Sequence, residues 1–362
     1  MKKRYMFWLT IILLTIFSII LFINFHPVFW SKAKDMNISN NYSNWKFWNL
    51  NKNISINTWN WSIWNTLKEY WDNNEERFPL TTVPTIKFDK TQFKSWDFVW
   101  LGQSTILINV DWKNMITDPV FNKASPIFLW WKPFHYSAPP KISDLPDIDF
   151  LLISHDHYDH LDYQAILELK PKVKIYLVWL WVKAHLESWW IDSDKIIEFD
   201  WYDKKQFQDT EIIFTPAQHF SGRGLTDRFS TLWWWWIIKW KNTNIYFSWD
   251  TGYYDEFKKI WESYWPFDYA FIENGAYNKA WASIHMMPEE VVQAWIDLKA
   301  NNIMPIHWWK FDLSLHSWHE PIERFIKEAN KKEVSYFHPQ VWVIFNNEKL
   351  PKNNWWSDLS TK

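Results

Sequence analysis

The run Asp149-Phe150-Leu151-Leu152-Ile153 has the apolar content and length of a buried strand, and it leads directly into Ser154-His155-Asp156-His157-Tyr158-Asp159-His160-Leu161-Asp162. Five imidazole or carboxylate side chains thus fall within six positions, 155 to 160, just past a strand end. Alternate strand residues share one side, so His155 and His157 can reach one ion. Asp159 and His160 follow once the chain has turned, and they suit a second. A solvated polar loop is the plain alternative, but it gives no reason for three histidines in six residues.

The same placement recurs along the chain. His219 follows the strand pattern Ile212-Ile213-Phe214-Thr215, Asp250 follows Ile245-Tyr246-Phe247-Ser248, and His307 follows Ile303-Met304-Pro305-Ile306. Taken singly, each reads as an ordinary loop residue. With the histidine cluster they make seven ligands, enough for two ions. The chain has no cysteine, which excludes disulfides, thiolate catalysis and thiolate-bound metal. Any ion must be held by His, Asp or Glu, donors that suit zinc and also iron or manganese. A net charge of −2 lacks the basic surface a nucleic-acid partner requires.

A chain of 362 residues, 48% apolar, can bury one large core or two small ones. Residues 1–30 read as a membrane segment. Lys2, Lys3 and Arg4 precede an apolar run from Phe7 to Phe25 that is close to the length needed to cross about 30 Å of hydrocarbon. The sequence Phe25-His26-Pro27-Val28-Phe29 is a poor cleavage site, so an anchor is expected, with secretion after cleavage as the alternative. The basic flank places the remainder outside the cytoplasm. Residues 31–97, rich in Asn, Trp and Ser, read as a covering arm, 98–350 as the catalytic domain and 351–362 as a tail. Strands are expected at Val99–Val110, Met115–Thr117, Asp149–Ser154, Lys174–Val178, Glu211–Thr215, Thr231–Lys239, Asn244–Ser248, Tyr269–Glu273 and Ile303–Ile306. Helices are expected at Tyr163–Glu168, Val182–Ser188, Asp255–Ser263, Pro288–Lys299 and Pro321–Ala329. Strands and helices mixed in this way suggest sheets sandwiched between helices.

The motif His155-x-His157-x-Asp159-His160 resembles the signature of metallo-β-lactamase-fold hydrolases. Further stretches are similar to the branch containing N-acyl-phosphatidylethanolamine-hydrolysing phospholipase D and its bacterial relatives. They are Trp100 to Thr105, Thr117-Asp118-Pro119-Val120-Phe121, Phe214 to His219, Asp250-Thr251-Gly252-Tyr253, Gly275-Ala276-Tyr277, His285 to Glu290 and Pro305-Ile306-His307-Trp308. The resemblance implies an α+β, αββα sandwich with two mixed sheets flanked by helices. It also implies two zinc ions, one held by His155, His157 and His219, the other by Asp159, His160 and His307, with Asp250 bridging. His285 would stand near the substrate phosphate, making Asp250 and His285 the expected catalytic residues. Gln103 replaces the family's usual histidine and, with His285 and His316, is expected to face substrate. Asp156 and Asp162 either orient the histidines or are ordinary loop carboxylates. The implied activity is phosphodiester hydrolysis of a phospholipid. The alternatives are a lactonase or other hydrolase of a phosphorylated small molecule, and a metal-binding envelope scaffold without turnover.

Five glycines against 34 tryptophans is an abnormal balance, since glycine averages about 7% of residues. Trp112 stands in an apparent hairpin turn that calls for glycine, Trp234, Trp235, Trp249 and Trp309 fall where the resemblance implies glycine, and Trp179 and Trp181 look similar. Trp100, Trp233, Trp281, Trp308 and Trp318 instead match tryptophans of the family. UGA encodes tryptophan in one variant genetic code and glycine in another, so a gene written in the second and read in the first would show this pattern. Genuine Trp enrichment for membrane or aromatic contacts explains neither the missing glycines nor their positions.

Overall fold

Most strands in this chain are apolar on both sides, and a sheet built from them is stable only when both its faces are covered. The computed structural model, which describes residues 2–29, 31–33, 39–51, 63–72, 75–126, 131–139, 141–241 and 243–360, meets that demand with two mixed sheets. After a hairpin of β1 (Tyr42–Ser43) and β2 (Lys46–Phe47), the strands in chain order begin with β3 (Phe98–Trp100), β4 (Ile106–Val110), β5 (Lys113–Thr117), β6 (Ile148–Leu152), β7 (Val173–Trp179) and β8 (Ile196–Phe199). They continue with β9 (Lys204–Phe207), β10 (Thr210–Pro216), β11 (Trp234–Trp240), β12 (Thr243–Ser248), β13 (Tyr269–Glu273), β14 (Asn302–Ile306) and β15 (Ile344–Phe345). One sheet has the order β15-β3-β4-β5-β6-β7-β8 and the other β14-β13-β12-β11-β10-β9. Both are antiparallel at one end and parallel at the other. Their facing apolar side chains form one continuous core.

The helices are α1 (Lys2–Phe25), α2 (Ile63–Asp72), α3 (Tyr163–Leu169), α4 (Val182–Ser188), α5 (Glu256–Tyr264), α6 (Pro288–Leu298), α7 (Glu320–Lys331) and the single turn α8 (Ser357–Ser360). Local signals set their starts. Asp162 caps α3 by accepting from the backbone N–H of Gln164 and Ala165. Pro288 opens α6, and the Glu290 carboxylate accepts from the Met287 N–H. Helix α1 is long and apolar enough to cross a membrane and is exposed over nearly its whole length.

Three expectations need correction. Val99–Val110 is two strands, because Gly102 (φ 90°) and Gln103 (φ 52°) turn the chain where the Gln103 N–H donates to the Trp309 carbonyl. That partner comes from the loop after β14, which no local pattern reveals. Strands β8 and β9 were not anticipated, and Lys204-Lys205-Gln206-Phe207 is a polar, exposed edge. Helix α2 lies in a segment read only as covering arm, of which residues 34–38, 52–62 and 73–74 lie outside the described residues.

The two sets of tryptophans distinguished in the sequence differ in their surroundings. Trp112 and Trp181 take φ of 63° and 78°, where a Cβ is strained, and Trp112 sits 72% exposed at its hairpin. The buried rings of Trp179 and Trp234 have centroids 2.7 Å apart, whereas aromatic pairs settle at about 4.5–7 Å. The indole N–H groups of Trp179, Trp181, Trp234, Trp235 and Trp249 are buried with no hydrogen-bond partner among the described residues. By contrast Trp100, Trp233, Trp281, Trp308 and Trp318 each donate, to Gln103 O, Ala217 O, Ala276 O, Pro305 O and the Glu76 carboxylate. Trp309 departs from the expected class, since its N–H reaches the Tyr136 hydroxyl at 2.9 Å.

Candidate metal centre

Each potential ligand sits where an apolar strand runs out at the rim between the sheets. His155 to His160 follow β6, His219 follows β10, Asp250 follows β12 and His307 follows β14. His155, His157, His219 and Asp250 form one group that could hold an ion, and Asp159, His160, Asp250 and His307 form a second. Asp250 belongs to both. A tetrahedral ion with bonds of about 2.0–2.1 Å holds its ligand atoms about 3.3 Å apart.

The observed spacings lie around that value. In the first group His155 Nε2 lies 2.8 Å from His157 Nδ1, and His219 Nε2 lies 3.2 Å from the same atom. Asp250 Oδ2 is 3.8 Å from His155 Nε2 and 3.7 Å from His219 Nε2. In the second group His160 Nε2 is 3.2 Å from both His307 Nε2 and Asp250 Oδ2. His307 Nε2 is 3.0 Å from Asp159 Oδ2 and 3.0 Å from Asp250 Oδ1.

Charge fits as well as spacing does. Burial, reinforced by neighbouring histidines, holds His155 and His219 well below the usual imidazole range, so both present lone pairs at neutral pH. Burial disfavours ionised Asp159 and Asp250, but the adjacent histidines, His160 foremost, keep both carboxyls well below their usual range. In the second group burial disfavours the imidazolium form, but Asp250 and Asp159 hold His160 well above the usual imidazole range and bring His307 up to about 10, so an ion bound there would displace their protons. Imidazole and ionised carboxylate are the donors a hard or borderline dication takes.

The supporting contacts revise the sequence reading. His155 Nδ1 meets Ser154 Oγ at 2.9 Å, and that hydroxyl donates to Asp118 Oδ2 at 2.5 Å. His160 Nδ1 meets the same Asp118 oxygen at 2.6 Å. One carboxylate therefore orients a histidine of each group and fixes which ring nitrogen is free to ligate. Asp156 and Asp162 do not orient the ligand histidines: Asp156 is engaged with Gly222 N and His185, and Asp162 with five N–H donors, three from Phe121 and Asn122 and two from the start of α3. His219 is oriented by the Ile284 carbonyl at 3.1 Å, and its backbone is bracketed by the Asn49 side chain, at 3.0 and 3.2 Å. Asn49 was missed because it lies far away in sequence. Asp118 stood in a quoted motif without a role, and its position at the end of β5, beside β6, was the available signal.

Gln103 Nε2 lies 2.9 Å from Asp159 Oδ2 and 2.7 Å from His307 Nε2, so it contacts ligands rather than the open pocket. His316 stacks on Tyr277 at 4.4 Å and does not line the pocket. His285 does, with Nδ1 2.9 Å from Glu273 Oε2 and Nε2 3.9 Å from Asp250 Oδ2. Burial, the largest influence on His285, brings it down to about 4. The backbone is strained here: His307, Asp118 and Ala276 take φ of 67°, 35° and 56°. A Cβ on Gly275 would lie 2.2 Å from the His307 carbonyl oxygen, so only glycine lets that ligand's loop close. The pocket above the cluster, about 360 Å³, has apolar walls of Trp131, Phe220, Trp281 and Leu313.

Asp118→Asn is expected to weaken metal binding by about 10–100-fold while the chain stays folded. A chelator competition titration reads this, and unchanged affinity would remove Asp118 from the account.

Residues 113–308 match the beta-lactamase superfamily domain. A Mycobacterium tuberculosis protein is 39% identical over 245 residues, covering 66% of this chain and 66% of its own length. The N-acyl-phosphatidylethanolamine-hydrolyzing phospholipase D 1 of Caenorhabditis elegans is 36% identical over 249 residues, 65% of this chain and 70% of that protein. The crystal structure of isothiocyanate hydrolase from Delia radicum gut bacteria superposes with a TM-score of 0.55 at 19% identity, covering 69% of this chain and 98% of that one, a likeness of fold.

Proposed function

The chain belongs to the metallo-β-lactamase superfamily as a metal-dependent hydrolase, and from that premise we propose that it is a membrane-anchored, two-zinc phosphodiesterase acting on a phospholipid of the N-acyl-phosphatidylethanolamine type. The observation that carries this is Asp250, which stands within reach of both ligand groups at the floor of an apolar-walled pocket. His155, His157 and His219 would hold one ion and Asp159, His160 and His307 the other. Paired zinc ions supply a water nucleophile usable at neutral pH and stabilise charge on a phosphoryl oxygen.

The chain's own residues do the rest. Burial pushes the Glu273 carboxyl well above its usual range, so one oxygen can donate its proton to His285 Nδ1 while the other accepts from the Met286 N–H, which leaves an Nε2–H toward the pocket suited to a substrate phosphate oxygen. Trp131, Phe220, Trp281 and Leu313 exclude water and give acyl chains an apolar wall. The named activity of the nematode relative supports the substrate class, and α1 supports presentation of that substrate from a bilayer.

Full-length protein given vesicles containing N-acyl-phosphatidylethanolamine is expected to release phosphatidic acid, to stop on chelation and to resume with added zinc. Turnover of a lactone with none of the phospholipid would transfer the assignment to the lactonase reading. Bound metal with no turnover of either would leave a scaffold. Deleting residues 1–25 is expected to move the protein from the membrane to the soluble fraction with its metal retained.

A further inference from the structure

Where α1 ends, the chain turns onto the domain. The Trp189 indole donates to Pro27 O at 2.6 Å, Arg223 Nε donates to Val28 O at 2.9 Å, and the Ser31 N–H donates to His185 Nδ1 at 3.2 Å. Beside this junction lies a cavity of about 440 Å³, separate from the metal pocket but sharing Tyr158 with it. Phe22 and His26 line it from the α1 side, and Lys123 and Arg223 bring positive charge from the domain side.

Arg223 is the informative residue. It is only 4% exposed, and its guanidinium lies 4.2 Å from the Tyr158 ring centre. Nη1 donates to Asp156 O and Leu161 O at 2.6 and 2.9 Å, bracing the metal loop. Nη2 is buried and has no hydrogen-bond partner among the described residues. A purely structural brace accounts for Nε and Nη1 but leaves Nη2 without a role, and an orphaned cationic N–H is costly.

The nearby carboxylates do not supply the missing acceptor. Asp162 receives five N–H donors, Asp227 receives the N–H groups of Arg223 and Gly224, and Asp156 receives the Gly222 N–H and faces His185. Arg223 lines the cavity wall, so an anionic oxygen entering the cavity would approach the guanidinium whose Nη2 lacks an acceptor.

The position indicates where that oxygen comes from. The 22 residues Arg4–Phe25 span about 33 Å as a helix, close to the hydrocarbon thickness of about 30 Å. His26 and the cavity then stand at headgroup height. We propose that this cavity binds the phosphate of an anionic bilayer phospholipid, with Arg223 Nη2 as its buried donor, Lys123 at its rim and Phe22 along the acyl chains. The proposal rests on the membrane-anchored reading above. A lipid held there would stand beside the metal pocket, across Tyr158, and against the arginine that braces the metal loop.

The test uses full-length protein in nanodiscs of equal phosphatidylcholine and phosphatidylglycerol, taken into detergent for native mass spectrometry. One phosphatidylglycerol is expected to stay with each wild-type chain, undisplaced by excess inorganic phosphate. Arg223→Gln and Lys123→Glu should each cut retention by about tenfold or more. Lys123→Glu should do so at unchanged metal content, which separates lipid loss from disturbance of the metal loop. Lys2, Lys3 and Arg4, also attractive to anionic lipid, are the same in all three proteins. Equal retention of phosphatidylcholine, retention by both variants as by wild type, or displacement by inorganic phosphate would overturn the site and leave the anchor standing. Failure of the full chain to enter nanodiscs would overturn the anchor itself.

Discussion

Asp250→Ala is expected to abolish hydrolysis and to cost the protein at least one of the two ions proposed for it. Asp250 is the side chain that both ligand groups share, with Oδ2 3.2 Å from His160 Nε2 and Oδ1 3.0 Å from His307 Nε2. Its removal takes a ligand from each group and half the carboxylate charge that favours a dication there. Loss of a partner that merely orients a ligand costs about 10–100-fold, so loss of a shared ligand should exceed about 100-fold in kcat/KM. Asp250→Asn, close in shape but uncharged, should fall in the same range. The side chain is 3% exposed at a loop, so thermal unfolding of both variants should stay cooperative and separate lost chemistry from lost fold. An alanine variant that keeps both ions and more than about a tenth of wild-type turnover would remove Asp250 from the bridging position.

The second large effect concerns the tryptophans. Positions 112, 179, 181, 234, 235 and 249 are expected to be glycine in the functional protein, encoded by UGA, and a peptide spanning Ser248 to Asp250 should have the mass of glycine at 249. Each buried indole without an acceptor costs about 1–3 kcal/mol, and each side chain forced to positive φ about 1–2 kcal/mol. The glycine form should therefore unfold at a clearly higher Tm than the tryptophan form made from the printed sequence. The Trp179–Trp234 pair should account for much of the difference, since two indoles occupy space for one. Trp309 is expected from sequence to belong with them, but its bonded N–H gives no structural sign of substitution. UGG codons at these positions, or a tryptophan mass at 249, would contradict the reading.

The ligand cluster was legible because a strand end followed by a metal-binding side chain is a local pattern, and four strands repeat it. Most strand and helix positions followed from apolar runs and caps to within a residue or two, as at Tyr269–Glu273 and Val182–Ser188, but the strand expected from Thr231 begins at Trp234. What orients the ligands was less legible. Asp118 acts across the β5–β6 pairing, the Ile284 carbonyl reaches His219 over 65 residues, and Asn49 reaches it over 170. No periodicity encodes such contacts. The break in Val99–Val110 has the same origin, since its turn is held by Trp309. His316 lies close in sequence to the site, but its ring is taken by Tyr277.

The central claim is that this chain builds one site for two ions joined by Asp250. The most direct measurement is the metal-to-chain ratio of full-length protein by elemental analysis, made on wild type and Asp250→Ala after identical zinc loading and removal of excess metal. The account predicts two zinc ions per wild-type chain and one or none in the variant. One ion in an active wild-type chain, or two in both proteins, would contradict it.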